Sequence, residues 1–318
     1  MGGAALASGR TYTNNLPDPR RDVRRRDREG GNAAMLDPIR MQESVDRFLA
    51  EDVGLFDLTS NWLIPEDARG RFEFRAREEF VLAGVEPALA ALRRYAPDGA
   101  IEVKARDGQR MRKGDVICAI QGRARGILTA ERTALNLMQH MSGIATLTRR
   151  YVDAIAGTKA VLVDTRKTTP GLRMFEKYAT TVGGARNHRL RLDGGILVKD
   201  NHIAVFGSLS AAIARAKAVV PLLTKVEVEC DTLDQVREAT DAGADILLLD
   251  NMKPPVLREA LAIVGGRCLA EASGGVNLDT IRPIAETGVD FISVGRITQG
   301  AAAVDIGLDV EFEPVARG

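Results

Sequence analysis

Residues 225–251, KVEVECDTLDQVREATDAGADILLLDN, hold one full period of the pattern that governs the second half of the chain. An apolar run at 225–228 leads into an amphipathic stretch at 233–242, and a second apolar run follows at 245–249. Nearly continuous hydrophobic runs read as strands buried on both faces, and the stretch between them reads as a helix covering the sheet. Outward from this segment the rhythm recurs. Further runs lie at 160–163, 195–198, 267–271 and 290–294, with further amphipathic stretches at 209–219, 255–264 and 278–287. Six such units predict a parallel (β/α) barrel, complete or slightly short of eight strands.

Upstream the period shortens to two. Phe72, Phe74 and Ala76 alternate with charged residues, as do Ile101 and Val103, and residues 116–120 form a short apolar strand. A helix is expected from Asp37, with Pro38 in its first turn, and another over 87–95; 56–67 reads as a connection. Thr129 is expected to cap a long buried helix, and Gly143 to mark a break or a close approach within it. The apolar run at 304–310 is expected to pack back on this first layer.

Composition excludes several classes. Lysine and arginine total 44 against 43 acids, a net charge of 44 − 43 = +1, which gives no global pull toward nucleic acid or a membrane surface. Three well-separated cysteines argue against a disulfide framework and for a reducing cytoplasm. No apolar run approaches the roughly 18 residues of a membrane span, and no secretory signal core is visible. Residues 1–34 carry seven arginines, yet Asp18, Asp22, Asp27 and Glu29 break the run and large apolar residues are nearly missing. The expectation there is a disordered extension.

The chemistry concentrates at the ends of the apolar runs. Asp164-Thr165-Arg166-Lys167, Lys199-Asp200, Glu229, Asp250-Asn251, Ser273-Gly274-Gly275 and Ser293-Val294-Gly295 follow them in turn, at spacings of 35, 30, 21, 23 and 20 residues from 164 to 293. In a βα barrel such positions face one mouth. Small residues after the last two strands suit backbone wrapping of a phosphate. Glu229 and Asp250 suit oxygen ligation of Mg²⁺, or alternatively a salt bridge to Lys199 or Lys225. Between 164 and 202 a basic block collects Arg166, Lys167, Arg173, Lys177, Arg186, His188, Arg189, Arg191 and Lys199. That is more charge than one phosphate needs; a diphosphate plus a carboxylated substrate would use it.

In this order, DTRKTTPGLR, EKYA, NHR, LVKDNH, VEVE, LLLDN, EASGG and ISVG, with EDVG, DLTS and ERTALNLMQHMSGIAT upstream, resemble the quinolinate phosphoribosyltransferase family over residues of about 36–310. The resemblance implies an α/β chain with an α+β sandwich over 35–145, residues 301–318 packing back on it, and an incomplete TIM-like α/β barrel over 146–300. It implies transfer of phosphoribosyl from phosphoribosyl pyrophosphate to quinolinate with release of pyrophosphate and CO₂, Mg²⁺ as cofactor, and a homodimer whose sites are completed across the interface. The implied quinolinate pocket is Arg166, Lys167, His188, Arg189 and Lys199, with Arg132 from the second subunit and Thr165 alongside. Glu229 and Asp250 would hold Mg²⁺ and the ribose, and Ser273, Gly274, Gly275, Val294, Gly295 and Arg296 the 5′-phosphate. Lys167, Lys199, Glu229 and Asp250 are the expected catalytic groups. Phe56, Ala185 and Arg191 depart from the family pattern, which usually has glycine there.

Such a site works by positioning and electrostatics, each well-placed group contributing about 3 kcal/mol, with no general base or covalent nucleophile. Three other readings stay open at this level: transfer to a different heterocycle, a Schiff-base lyase using Lys199, and a non-catalytic anion or nucleic-acid binder using residues 1–34.

Overall fold

The computed structural model describes residues 36–311, so the arginine-rich extension and the end of the tail, residues 312–318, lie outside the described residues. The first helix, Pro38–Val53, begins where Asp37 accepts a hydrogen bond from the Arg40 N–H, with proline in the first turn. The stretch read as a connection contains a second short helix, Leu58–Leu63, capped by Asp57 accepting from the Ser60 N–H. Its signal is a cap alone. Leu58, Trp62 and Leu63 are exposed, so no buried stripe announces it.

Strands β1 (Arg69–Ala76), β2 (Phe80–Val81), β3 (Ala100–Val103), β4 (Arg110–Met111) and β5 (Val116–Arg123) build the first layer. The main sheet is antiparallel, and a last strand, β12 (Ile306–Glu311), pairs with β1 to give the order β12-β1-β5-β3. Phe72, Phe74 and Ala76 are fully buried, as the period-two alternation requires. They pack with the helix Val85–Tyr95 and with one long helix, Ala124–Ala154. Each large side chain buried in this way contributes about 1.5–3 kcal/mol.

The long helix corrects the expected cap. Thr129 lies inside it, its hydroxyl donating to the Arg125 carbonyl and to Asp57 Oδ2. Gly143 does not break the helix. A Cβ there would stand 2.0 Å from the Ala302 carbonyl oxygen, so the glycine admits the chain that leads back to β12. That chain is tied down nearby by Val304 N–H to the Gln139 carbonyl and by Gln139 Nε2 to the Ile306 carbonyl.

The second layer is a six-stranded parallel sheet: β6 (Val161–Val163), β7 (Ile196–Val198), β8 (Val226–Cys230), β9 (Ile246–Asp250), β10 (Leu269–Ser273) and β11 (Phe291–Ser293). Its order is β6-β11-β10-β9-β8-β7, so the barrel is incomplete and stays open between β6 and β7. On the free side of β6, Arg186 adds a single parallel bridge opposite Val163. Helices Leu209–Val219, Leu233–Asp241 and Pro254–Val264 cover the outside, where Val228, Leu247, Leu249 and Ile292 meet Ile213, Val236 and Leu257. Alternate residues of the strands therefore point into the lumen.

Candidate active site

The loop after β6 is built around a buried carboxylate. Asp164 is fully buried and accepts four hydrogen bonds: from Lys177 Nζ at 2.6 Å, Thr180 Oγ1 at 2.9 Å, Asn187 Nδ2 at 2.6 Å and the His188 N–H at 2.9 Å. Lys177 Nζ also donates to the carbonyls of His188 and Arg189, at 3.0 and 3.1 Å. Burial pulls the Lys177 pKa down, and the Asp164 charge opposes that shift. Lys177 is thus removed from the anion-binding block to which its sequence position assigned it. It spends all three protons on holding the backbone at 188–189.

A second buried acid fixes the other half of this loop. Glu176, on the helix Arg173–Val182, takes His140 Nε2 at 2.9 Å on one oxygen and the Thr169 N–H at 3.2 Å on the other. Although burial opposes it, the bonds from His140 and Thr169 hold its pKa below the ordinary value. Arg173 closes the turn by donating to Thr168 Oγ1 at 2.9 Å.

On this frame stand the cations. Burial lowers the Arg189 pKa, the Arg166 charge lowers it further, and Glu227 opposes; two guanidinium groups thus sit close enough to repel. Arg189 Nη1 donates to the Gly195 carbonyl at 3.0 Å. Lys167 is exposed, with its N–H on Thr165 Oγ1 at 3.1 Å and its carbonyl accepting from Thr298 Oγ1 at 2.7 Å. A Cβ on Gly295 would meet Lys167 Cδ at 2.7 Å, so the loops after β6 and β11 interlock through that glycine. Lys199 Nζ donates to Glu229 Oε2 at 2.9 Å, the salt bridge weighed from the sequence, whereas Lys225 pairs with Asp245 at 3.6 Å. Arg132 is exposed on the long helix. Among the described residues no ion pair or hydrogen bond joins it to the others.

Glu229 and Asp250 end adjacent strands. Burial first, and then the charges of Glu229 and Asp231, raise the pKa of Asp250, while Lys199 and Lys167 oppose. Two carboxylates that repel in this way form an oxygen donor set fit for a hard divalent cation. Behind them Asn251 adopts φ 55°, and its carboxamide lies where a Cβ on Gly274 would fall, 2.1 Å from Oδ1. Gly274, itself at φ 88°, lets the loop after β10 close on Asn251.

Val294 follows β11 directly. It is buried, and its N–H donates to the Val163 carbonyl at 3.1 Å, which joins β11 to β6 and leaves that group unavailable for a phosphate. Gly295 and Arg296 stand at the start of the short helix Arg296–Gln299 after β11, and Ser273, Gly274 and Gly275 close the neighbouring strand β10, so the two sets of small residues lie side by side.

His188 is engaged on both ring nitrogens. Nδ1 accepts from the Arg189 N–H at 2.8 Å, and Nε2 faces Glu227 Oε2 at 2.9 Å and Glu271 Oε2 at 3.6 Å. Burial works against a charged ring, but the hydrogen bond to Glu227 and the charges of Glu271 and Glu227 outweigh it, and its pKa is raised. Burial, reinforced by the Glu227 charge, pushes Glu271 up to about 7. Neither acid stood out in the sequence. Glu227 did carry a signal, since it is two residues from Glu229 and so shares its inward face. These groups line a cavity of about 190 Å³ that reaches Ile246 and Phe291, the first residues of β9 and β11.

Comparison with known proteins agrees with this architecture. The family model of the quinolinate phosphoribosyl transferase N-terminal domain matches residues 57–142, and that of the C-terminal domain matches residues 144–309. The chain is 42% identical over 278 residues to the nicotinate-nucleotide pyrophosphorylase (carboxylating) of Mycobacterium leprae, covering 85% of this chain and 96% of that one. It is 37% identical to quinolinate phosphoribosyltransferase (decarboxylating) 2b, mitochondrial, of Nicotiana tabacum, over 86% of this chain and 83% of that one. The crystal structure of NadC from Streptococcus pyogenes superposes with a TM-score of 0.85 at 37% identity, covering 88% of this chain and all of that one (100%).

Proposed function

The chain belongs to the quinolinate phosphoribosyltransferase family, and on that premise we propose that it converts quinolinate and phosphoribosyl pyrophosphate to nicotinate mononucleotide, pyrophosphate and CO₂, a step of de novo NAD synthesis. The observation that carries this reading is coverage: both family domains match, in order, across residues 57–309.

Arg166 and Arg189 hold the carboxylates of quinolinate, and their mutual repulsion is relieved when an anion lies between them. Lys167 and Thr165 complete the quinolinate pocket beside them, and Gly295, Arg296 and the Ser273–Gly275 turn take the 5′-phosphate. Glu229 and Asp250 hold Mg²⁺ and the ribose hydroxyls; when bound, the ion supplies positive charge that stabilises the departing pyrophosphate. Lys199 turns from Glu229 toward the incoming anions. The ring nitrogen of quinolinate attacks the ribosyl carbon as pyrophosphate leaves; CO₂ then departs from the adjacent ring carbon, the positive pyridinium stabilises the electron pair left there, and that carbon takes up one proton from solvent to give nicotinate mononucleotide. Apart from the delivery of that proton, the chain's contribution is orientation and a preorganised field.

The active enzyme is a homodimer in which Arg132 reaches the site of the other subunit. Its exposure on the long helix, with no hydrogen bond or ion pair among the described residues, supports this, as do the exposed apolar Leu55, Phe56, Trp62 and Leu63 on the same layer. We place the enzyme in the cytoplasm, in keeping with its three free cysteines. No helix among the described residues is long and apolar enough to cross a membrane. The test is release of CO₂ and pyrophosphate from quinolinate, phosphoribosyl pyrophosphate and Mg²⁺. Turnover of nicotinate or another base with none of quinolinate would overturn the assignment.

A further inference from the structure

Beneath the mouth, His188, Glu227 and Glu271 bring three donor atoms within 4.8 Å of one another, an arrangement with the outline of a metal site. The ring geometry argues otherwise. Nδ1 receives the Arg189 N–H at 2.8 Å and must present a lone pair there. In the neutral ring the proton is then on Nε2, which donates it to Glu227 Oε2 at 2.9 Å and has no lone pair for a metal.

The same contacts assign a different task. Glu227 is buried on β8, with its side chain only 5% exposed, and the strand gives it one direction in which to point. Through Nε2–H it fixes the rotation of the imidazole; through Nδ1 the imidazole fixes the Arg189 amide. The Arg189 carbonyl is already held by Lys177, and its guanidinium by Gly195. Glu227 also supplies the negative charge that favours the Arg189 guanidinium against Arg166. We propose that Glu227 is a positioning residue for quinolinate binding: it locks His188 as the Nε2–H tautomer, a strut that aims Arg189, and His188 makes no hydrogen bond of its own to the substrate. Glu271, 3.6 Å from Nε2, backs this contact from the next but one strand. The inference rests on the reading of Arg189 as a carboxylate-binding group in the proposed reaction.

Two measurements test it on the full-length enzyme. The chain has three histidines, His140, His188 and His202, so a ¹⁵N-histidine spectrum, assigned with His140→Gln and His202→Gln, reports the His188 tautomer directly. A protonated Nε2 with a bare Nδ1, lost in Glu227→Ala, is expected; a ring protonated on Nδ1 alone would overturn the strut. In steady-state kinetics, Glu227→Ala should raise the quinolinate KM about tenfold or more and change kcat and the phosphoribosyl pyrophosphate KM less than about threefold. Glu227→Gln, which keeps an acceptor oxygen, should recover most of the lost affinity. An unchanged quinolinate KM in a Glu227→Ala protein whose circular dichroism and melting curve show it folded would sink the proposal. Absence of any quinolinate turnover by the unaltered enzyme would instead fail the functional reading, so the two failures are separable.

Discussion

Lys199 Nζ lies 2.9 Å from Glu229 Oε2, so the cationic and acidic walls of the mouth touch directly. The pair is partly exposed, with side-chain exposures of 45% and 14%, and pairs of that kind contribute little to stability. Its importance is to the substrates, since the charge of Lys199 is parked on the group proposed to hold the metal.

Replacing Lys199 by alanine should therefore leave the melting temperature nearly unchanged while kcat/KM for quinolinate falls about 10²–10³-fold. Arg132→Ala should be similarly inactive as a homodimer. Mixed dimers of the two variants should regain part of the activity, because one of the two sites would be intact. Failure of the mixture to complement would show that Arg132 does not act across the interface.

Lys177 behaves oppositely. Its ammonium is buried between Asp164 and two carbonyls, so Lys177→Met strands a buried carboxylate and should cost about 3–5 kcal/mol. Chemical denaturation of the two proteins measures this directly. A loss below about 1 kcal/mol would mean that the Asp164 network is not the keystone of the loop.

Glu271 predicts a pH dependence of stability. Its pKa rises from an ordinary 4.5 to about 7 in the folded chain, so the native state binds the extra proton between those values. Stability from this group is full below pH 4.5 and is lost as pH rises through 7, by about 3 kcal/mol. Glu271→Gln carries no titrating group, so its melting temperature should exceed that of the unaltered protein at pH 8, and the gap should close toward pH 5. A constant gap would contradict the shift.

Two glycines separate function from fold. A Cβ on Gly295 would crowd the flexible stem of Lys167 and touch Thr165 Oγ1 and Gln299 Nε2 at ordinary contact distances of 3.4 and 3.6 Å, and Gly295 has an ordinary helical φ of −70°. Gly295→Ala should melt within about 1 kcal/mol of the unaltered protein and bind phosphoribosyl pyrophosphate more weakly as the 5′-phosphate site is crowded. At Gly143 the obstacle is the Ala302 backbone, and Gly143→Ala should destabilise by about 1–3 kcal/mol.

What could be read from the chain alone was local in origin. The six apolar runs and their helical spacers follow from side-chain periodicity, which each segment carries within itself, and they led to the open parallel barrel. The polar residues that close those runs marked one mouth for the same reason. The misreadings share a cause as well. Thr129 looked like a cap because a cap is a local signal, and only packing kept the helix running from Ala124. The helix Leu58–Leu63 buries too little to show a stripe. Lys177 was indistinguishable from its basic neighbours until Asp164, 13 residues away, enclosed it. Val294 lost its N–H to Val163, 131 residues upstream (294 − 163), when β11 met β6. His188 met Glu227 and Glu271, 39 and 83 residues downstream (227 − 188 and 271 − 188), inside a lumen that exists only once the strands are assembled. Periodicity decides which residues form strands and helices. Which charges are spent on structure and which remain for the substrates is decided by contacts between distant segments, and those arise only in the folded chain.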